Sequence, residues 1–117
     1  LDEKPLIKIV LSGQEILRQM LKRHTLADLL HRISIYYNLV PLTKFQTACY
    51  FDHHMNSVGA NEKIFDQDVK ELIHDYSGGL PRQINNIATA CLINAAIQQS
   101  QRVDQKIFSQ AIAECLL

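Results

Sequence analysis

The chain carries no excess of either charge: twelve Lys and Arg stand against twelve Asp and Glu in 117 residues. Tight nucleic-acid binding through bulk electrostatics is therefore disfavoured, because it draws on clustered cations. No apolar run approaches the ~20 residues that a membrane-spanning helix needs, so direct membrane insertion is not expected. The first residues, Leu1-Asp2-Glu3-Lys4, lack the basic-then-apolar order of a secretory leader, which sets the expectation of a cytoplasmic protein. Cysteine is scarce as well. Cys49, Cys91 and Cys115 are odd in number, widely spaced and form no C-x-x-C pair. That argues against a disulfide framework and points to reduced thiols buried on the apolar faces of helices.

Self-contained catalytic signatures are missing too. There is no G-x-x-x-x-G-K-S/T phosphate loop, no G-x-G-x-x-G, no G-x-S-x-G and no H-E-x-x-H. His53 and His54 are adjacent, so on a helix they diverge by about 100° and chelate one metal poorly. No metal site is expected. No internal repeat or low-complexity run is present. The small charge asymmetry is a mildly basic residues 1–50, with seven Lys/Arg against four Asp/Glu, followed by a mildly acidic remainder with five against eight.

What is present is a change of periodicity along the chain. Leu6 to Leu11 is apolar at nearly every position and rich in β-branched residues, which suits a strand covered on both faces. Glu15 to Arg23 reads as a helix. Thr25 is placed to cap a short second helix ending near Leu30 or His31. Ile33 to Leu39 has the composition of a second strand, and strand–helix–strand implies a parallel crossover. Two such strands need more sheet than this stretch holds, so residues 1–42 are expected to be an incomplete piece of a larger core.

After Pro41 the pattern is helical. Thr43-x-x-Gln46 forms a capping box before a helix with Phe45, Ala48, Phe51, Met55 and Val58 on its apolar side, stopped at Gly59. Asp66 is placed to cap a helix striped by Val69, Leu72, Ile73 and Tyr76. Gly78-Gly79 ends that helix. Pro81 opens a long, broadly apolar one running to about Gln99, expected to be central, and Asp104 caps the last. Residues 43–117 are thus predicted to form a four-helix cluster.

The segment richest in chemistry is Ser77-Gly78-Gly79-Leu80-Pro81-Arg82-Gln83-Ile84-Asn85-Asn86: a helix stop, a tight turn, then a helix start with an arginine in its first turn. Free N–H groups and the positive dipole end make a helix start an anion site. Arginine there opposes the dipole, which a bound anion offsets, and a guanidinium forks well onto phosphate oxygens. A solvated or salt-bridged surface arginine is the alternative.

Gly78-Gly79-Leu80-Pro81-Arg82-Gln83-Ile84-Asn85 resembles the sensor 2 motif, G-G-x-P-R-x-I-N, of AAA+ ATPases, and within them the ExeA/GspA group with its MshM-type relatives and the related transposition helper ATPases. Other segments agree in order. Ile9 to Gln14 followed by Leu17 is similar to the group's strand ending in Gly-Gln. Arg32-Ile33 through Pro41-Leu42 resembles its R-I…L-x-P-L segment. Thr47 and Tyr50 match its E-T-x-x-Y-I helix start, with Gln46 in place of Glu. Gly59 followed by Ile64-Phe65 resembles its A-G…I-F-T turn, with Asp66 in place of Thr. Glu15-Ile16 departs from the Pro-Glu of many relatives. The phosphate loop and Walker B strand, upstream in the family, do not occur in this sequence.

The resemblance implies a mainly α chain: an AAA+ helical lid over 43–117, preceded by the last two parallel strands and a helix of an α/β nucleotide-binding core over 1–42. It implies ATP and Mg²⁺ as cofactors of the full-length parent, with none held by this piece, which alone should be inactive. Arg82 would be the sensor 2 arginine on the terminal phosphates, aimed by Gly79 and Pro81. Gln14 would match the sensor 1 position, where a polar side chain can hold the attacking water or the γ-phosphate, with a plain turn residue as the alternative. Arg32 lies where an arginine finger acts on a neighbouring subunit's ATP, with Arg18 and Arg23 as competitors and a helix-end charge as the alternative. The implied partners are further subunits of the same chain and either a secretion or pilus-assembly machine or, alternatively, a transposase on DNA. A non-enzymatic helical interaction module is the reading of a different class.

Overall fold

The computed structural model describes residues 6–115. It divides into two units, Leu1–Asn38 and Leu39–Leu117.

The first unit holds α1 (Glu15–Leu21), a 3-10 turn at His24–Leu26 and α2 (Ala27–Arg32). Leu17, Leu21, Leu26, Ala27, Leu30 and Ile33 are half-buried, and no side chain described in this unit is fully buried. Thr25 falls inside the 3-10 turn; Leu26 occupies the N-cap of α2 and no side chain caps it. Neither 6–11 nor 33–39 forms a strand among the described residues. A strand exists only as a pairing, and neither segment makes a ladder hydrogen bond. Ile7, Val10, Ile35 and Tyr37 therefore stay exposed. The expected strands over 6–11 and 33–39 and their parallel crossover are therefore not formed: strand composition is a preference, and no neighbouring strand lies beside either segment to satisfy it.

The second unit contains α3 (Lys44–Ser57), a 3-10 turn at Glu62–Ile64, α4 (Gln67–Ser77), α5 (Pro81–Ile97) and α6 (Gln105–Cys115). The capping box of α3 is complete: Gln46 N–H donates to Thr43 Oγ1 at 3.1 Å and Thr43 N–H to Gln46 Oε1 at 3.0 Å. Asp104 accepts from Ile107 N–H at 2.9 Å at the start of α6. Asp66 sits at the N-cap of α4 but makes no capping bond. Its carboxylate holds the Arg102 guanidinium instead, raising the Arg102 pKa through that hydrogen bond and the attraction of opposite charges. Asp68 accepts from Val69 N–H in its place.

The core is one cluster: Phe51 from α3; Phe65 and Val103 from a parallel bridge between two loops; Val69 and Ile73 from α4; Ile84, Ile87, Ala90, Cys91 and Ala95 from α5; and Ile107, Phe108 and Ala111 from α6. The i, i+3, i+4, i+7 spacing on α4 and α5 places these on one side of each helix. Helix α5 contributes the most buried residues and packs on α4 and α6, as its broad apolar pattern predicts. Phe45, Val58 and Tyr76 were expected inward and are exposed instead. Each lies at or next to an end of its helix; Tyr76 still meets Phe108 of α6 edge-on, with ring centroids 5.5 Å apart, while the rest of its surface stays open. Cys91 is buried, but Cys49 is exposed, against expectation. It follows Thr47 by two positions, about 200° round α3 from a buried residue. The side chain of Cys115 and residues Leu1–Lys4 lie outside the described residues.

Thr47, Lys70, Ser77 and Asn94 are the buried polar residues among those described. Lys70 is buried and donates to Asp52 Oδ1 at 2.9 Å. Thr47 is fully buried, and its hydroxyl has no hydrogen-bond partner among the described residues. No described helix is long and apolar enough to cross a membrane.

Candidate functional site

Helix α4 ends in two consecutive left-handed residues, Gly78 (φ 64°) and Gly79 (φ 76°), a conformation that side-chain-bearing residues adopt at a cost. The double glycine turns the chain sharply enough for α5 to start two residues later. Pro81 takes the first helical position of α5, where its missing N–H is no loss. Leu80 at the N-cap offers no side-chain acceptor. The first-turn N–H groups of Arg82 and Gln83 are thus left without a side-chain cap. Arg82 is exposed, and among the described residues no hydrogen bond or ion pair engages its guanidinium.

Gly79 has a second role. A Cβ built on it would collide with the carbonyl oxygen and the backbone nitrogen of Leu42. The backbone of Leu42 lies directly on the turn, its N–H donating to the Gly79 carbonyl at 2.8 Å. The Leu42 carbonyl in turn faces His74 Nε2 at 2.9 Å. The His74 carbonyl accepts from Ser77 Oγ at 3.1 Å, and Ser77 Oγ accepts from Gly79 N–H at 3.2 Å. Leu42, His74, Ser77 and Gly79 form a closed ring of four hydrogen bonds. Ser77 and Gly79 are buried within it. The glycine pair was legible in the sequence; the ring was not. Its fourth member is a main-chain group of Leu42, 32 residues before His74, and main-chain contacts leave no residue-type signal.

One turn into α5, Asn85 Oδ1 accepts from the Tyr50 hydroxyl at 2.7 Å. Tyr50 also meets His54 edge-on, with ring centroids 4.4 Å apart. His53 and His54 have ring centroids 5.6 Å apart. Among the described residues no group of three or more His, Cys, Asp and Glu side chains converges as a metal site would require. A shallow groove between α3 and α5, lined by Tyr50, Met55, Asn85, Ala88 and Leu92, follows Asn85 along the helix.

The remaining sequence candidates lie in the first unit. Gln14 is the N-cap of α1; its carbonyl accepts from Leu17 N–H at 2.9 Å and its side chain caps nothing. Arg32 is the last residue of α2, exposed, where its charge suits the helix dipole. Arg18 and Arg23 are exposed as well. Gly79, Pro81 and Arg82 form one contiguous structural feature; Gln14 and Arg32 belong to the other unit.

No protein-family profile matches the chain. No solved structure matches it. Among curated proteins, the chain is 36% identical over 102 residues to general secretion pathway protein A of Aeromonas hydrophila, an alignment covering 87% of this chain and 19% of that protein. The chain therefore spans under a fifth of the length of the relative it matches. Over most of its length the chain is thus similar to a short stretch of a GspA protein, and its second unit is built as a cluster of helices.

Proposed function

We propose that residues 43–117 are the helical lid of a GspA-type AAA+ ATPase and residues 1–42 the end of its nucleotide-binding core, with Arg82 acting as the sensor 2 arginine. One observation carries this reading: Arg82 stands exposed and, among the described residues, unpaired in the first turn of α5, on a helix start without a side-chain cap that follows a double-glycine turn. Helix-start N–H groups and a planar guanidinium together suit phosphate oxygens. An exposed arginine at a dipole-unfavourable position is the arrangement an anion would compensate. ATP with Mg²⁺, held largely by a phosphate loop and a Walker B strand elsewhere in the full protein, supplies the scissile phosphoanhydride. Arg82 binds the terminal phosphates, Gly79 and Pro81 aim it, and loss of the γ-phosphate removes its partner and releases the lid to rotate.

On this reading Gln14 orients the attacking water or the γ-phosphate, and Arg32 reaches the ATP of an adjacent subunit. The piece described is inactive alone. The similarity to a general secretion pathway protein favours a secretion or pilus-assembly role over a transposition one, with further subunits and the envelope machinery as partners. Measuring ATP binding and hydrolysis by the longest natural form of the chain tests the proposal. ATP-dependent association with hydrolysis is expected. A longer form that neither binds nor hydrolyses ATP leaves only a helical interaction module. Filaments formed with ATP on double-stranded DNA move the role to transposition.

A further inference from the structure

The ring that joins Leu42 to the α4–α5 turn contains one side chain whose chemistry is adjustable, His74. A carbonyl oxygen only accepts, so the 2.9 Å contact with Leu42 requires the proton on His74 Nε2. The imidazole is mostly enclosed, 19% exposed, with Nδ1 near Asp75 Oδ1 at 3.4 Å. From there the connections run both ways. Leu42 belongs to the segment by which the chain enters the helical unit ahead of α3. Gly79 belongs to the turn that starts α5, and Leu80, next in line, donates to Ser77 and accepts from Ile84. Two routes lead from the entering segment to this turn: the direct bond from Leu42 N–H to the Gly79 carbonyl, and the path from the Leu42 carbonyl through His74 and Ser77 to Gly79 N–H.

We infer that His74 is a positioning residue: it fixes the segment around Leu42 to the Gly78–Gly79 turn, so that the seat of this segment and the direction of the Arg82 helix start are set together. The backbone of Leu42 approaches Gly79 more closely than a Cβ there would allow. Two of the four hydrogen bonds of the ring involve Leu42, so lifting this segment away removes half of them. The functional consequence rests on the sensor 2 reading of Arg82; the mechanical coupling does not.

Three measurements test it. In the unaltered 117-residue chain, nitrogen NMR of His74 should find the ring protonated at Nε2. A neutral ring protonated at Nδ1 alone overturns the inference without any mutation. In His74→Ala, amide hydrogen exchange should accelerate at Leu42 by at least about tenfold, while Val69 and Cys91 stay within about twofold, and His74→Gln, which keeps a donor at similar reach, should restore Leu42 protection. Unchanged exchange at Leu42, or an equal acceleration at all three amides, overturns it. In the longer natural form, His74→Ala should lower kcat for ATP on the order of tenfold and His74→Gln should recover most of it, since misplacing a positioned group weakens catalysis. Full kcat in His74→Ala beside an altered Leu42 exchange rate overturns the link to Arg82. A wild-type longer form without ATPase activity counts against the ATPase reading, and the exchange data then decide the coupling alone.

Discussion

Tyr50 and Asn85 join α3 to the start of α5 through a hydrogen bond of 2.7 Å. Their sequence separation is 35 residues, and the pair ties the helix start that carries Arg82 to the capped helix that begins the unit. Removing the hydroxyl in Tyr50→Phe leaves ring packing intact and deletes this one bond. The expected loss is about 0.5–1.5 kcal/mol, the net worth of a typical protein hydrogen bond. A urea midpoint indistinguishable from that of the unaltered chain would show that the two helices do not depend on it.

Gly59 and Gly79 share a left-handed backbone, φ 71° and 76°, but differ in surroundings. A Cβ on Gly59 meets nothing, whereas one on Gly79 runs into the Leu42 backbone. Gly59→Ala should therefore cost only the conformational penalty, about 1–2 kcal/mol. Gly79→Ala adds displacement of the Leu42 segment and should cost clearly more, with loss of Leu42 amide protection. Equal destabilisation of the two variants would mean that the close approach at Gly79 carries no energy.

Lys70 and Asp52 are a charge pair with one buried and one half-exposed member. Leaving Lys70 without its acceptor in Asp52→Ala strands a charge in the interior and should cost about 1–3 kcal/mol. Lys70→Met, which removes the charge and keeps the stem, should cost less than that or nothing. Chemical denaturation of both variants checks the order; a larger loss in Lys70→Met than in Asp52→Ala contradicts it.

Thr47 offers a change in the opposite direction. Its hydroxyl is fully buried without a hydrogen-bond partner among the described residues, and valine has nearly the same shape. Thr47→Val should stabilise the helical unit by about 1 kcal/mol, by removing an unsatisfied polar atom from the core. A lower melting temperature would reveal a hydrogen bond that this hydroxyl makes in solution.

The helical unit was legible in the sequence because its signals are local. Thr43 with Gln46, Asp104 and the Gly78–Gly79–Pro81 punctuation each act within four residues, and the stripes on α4 and α5 follow a period that burial enforces. What failed depends on partners. Residues 6–11 and 33–39 have strand composition, but a strand needs a neighbour, and composition cannot supply one. Asp66 has cap chemistry, yet Arg102, 36 residues away, takes its carboxylate. Phe45 and Val58 fit the helical spacing of α3 and still lie exposed at its two ends, because spacing gives the face and not how far the neighbouring helix extends. Of the candidate site, the turn and Arg82 were readable and the main-chain seat of Leu42 was not.

The sharpest prediction concerns Arg82 in the longer natural protein. Among the described residues its guanidinium has no hydrogen-bond or ion-pair partner, so Arg82→Ala should leave the stability of this unit within about 0.5 kcal/mol of the original, as for other surface changes. Hydrolysis of ATP should nevertheless slow by at least about tenfold, because a positioned arginine on a transferring phosphoryl group is worth that and more. Arg82→Lys keeps the charge but loses the fork, and it should recover only part of the rate. Arg32→Ala provides the contrast. If it serves a neighbouring subunit, its defect should appear in the assembled form and be relieved by mixing with subunits that retain Arg32 but lack a working phosphate loop. Stability loss in Arg82→Ala together with unchanged hydrolysis would assign this arginine to the fold and remove it from the chemistry.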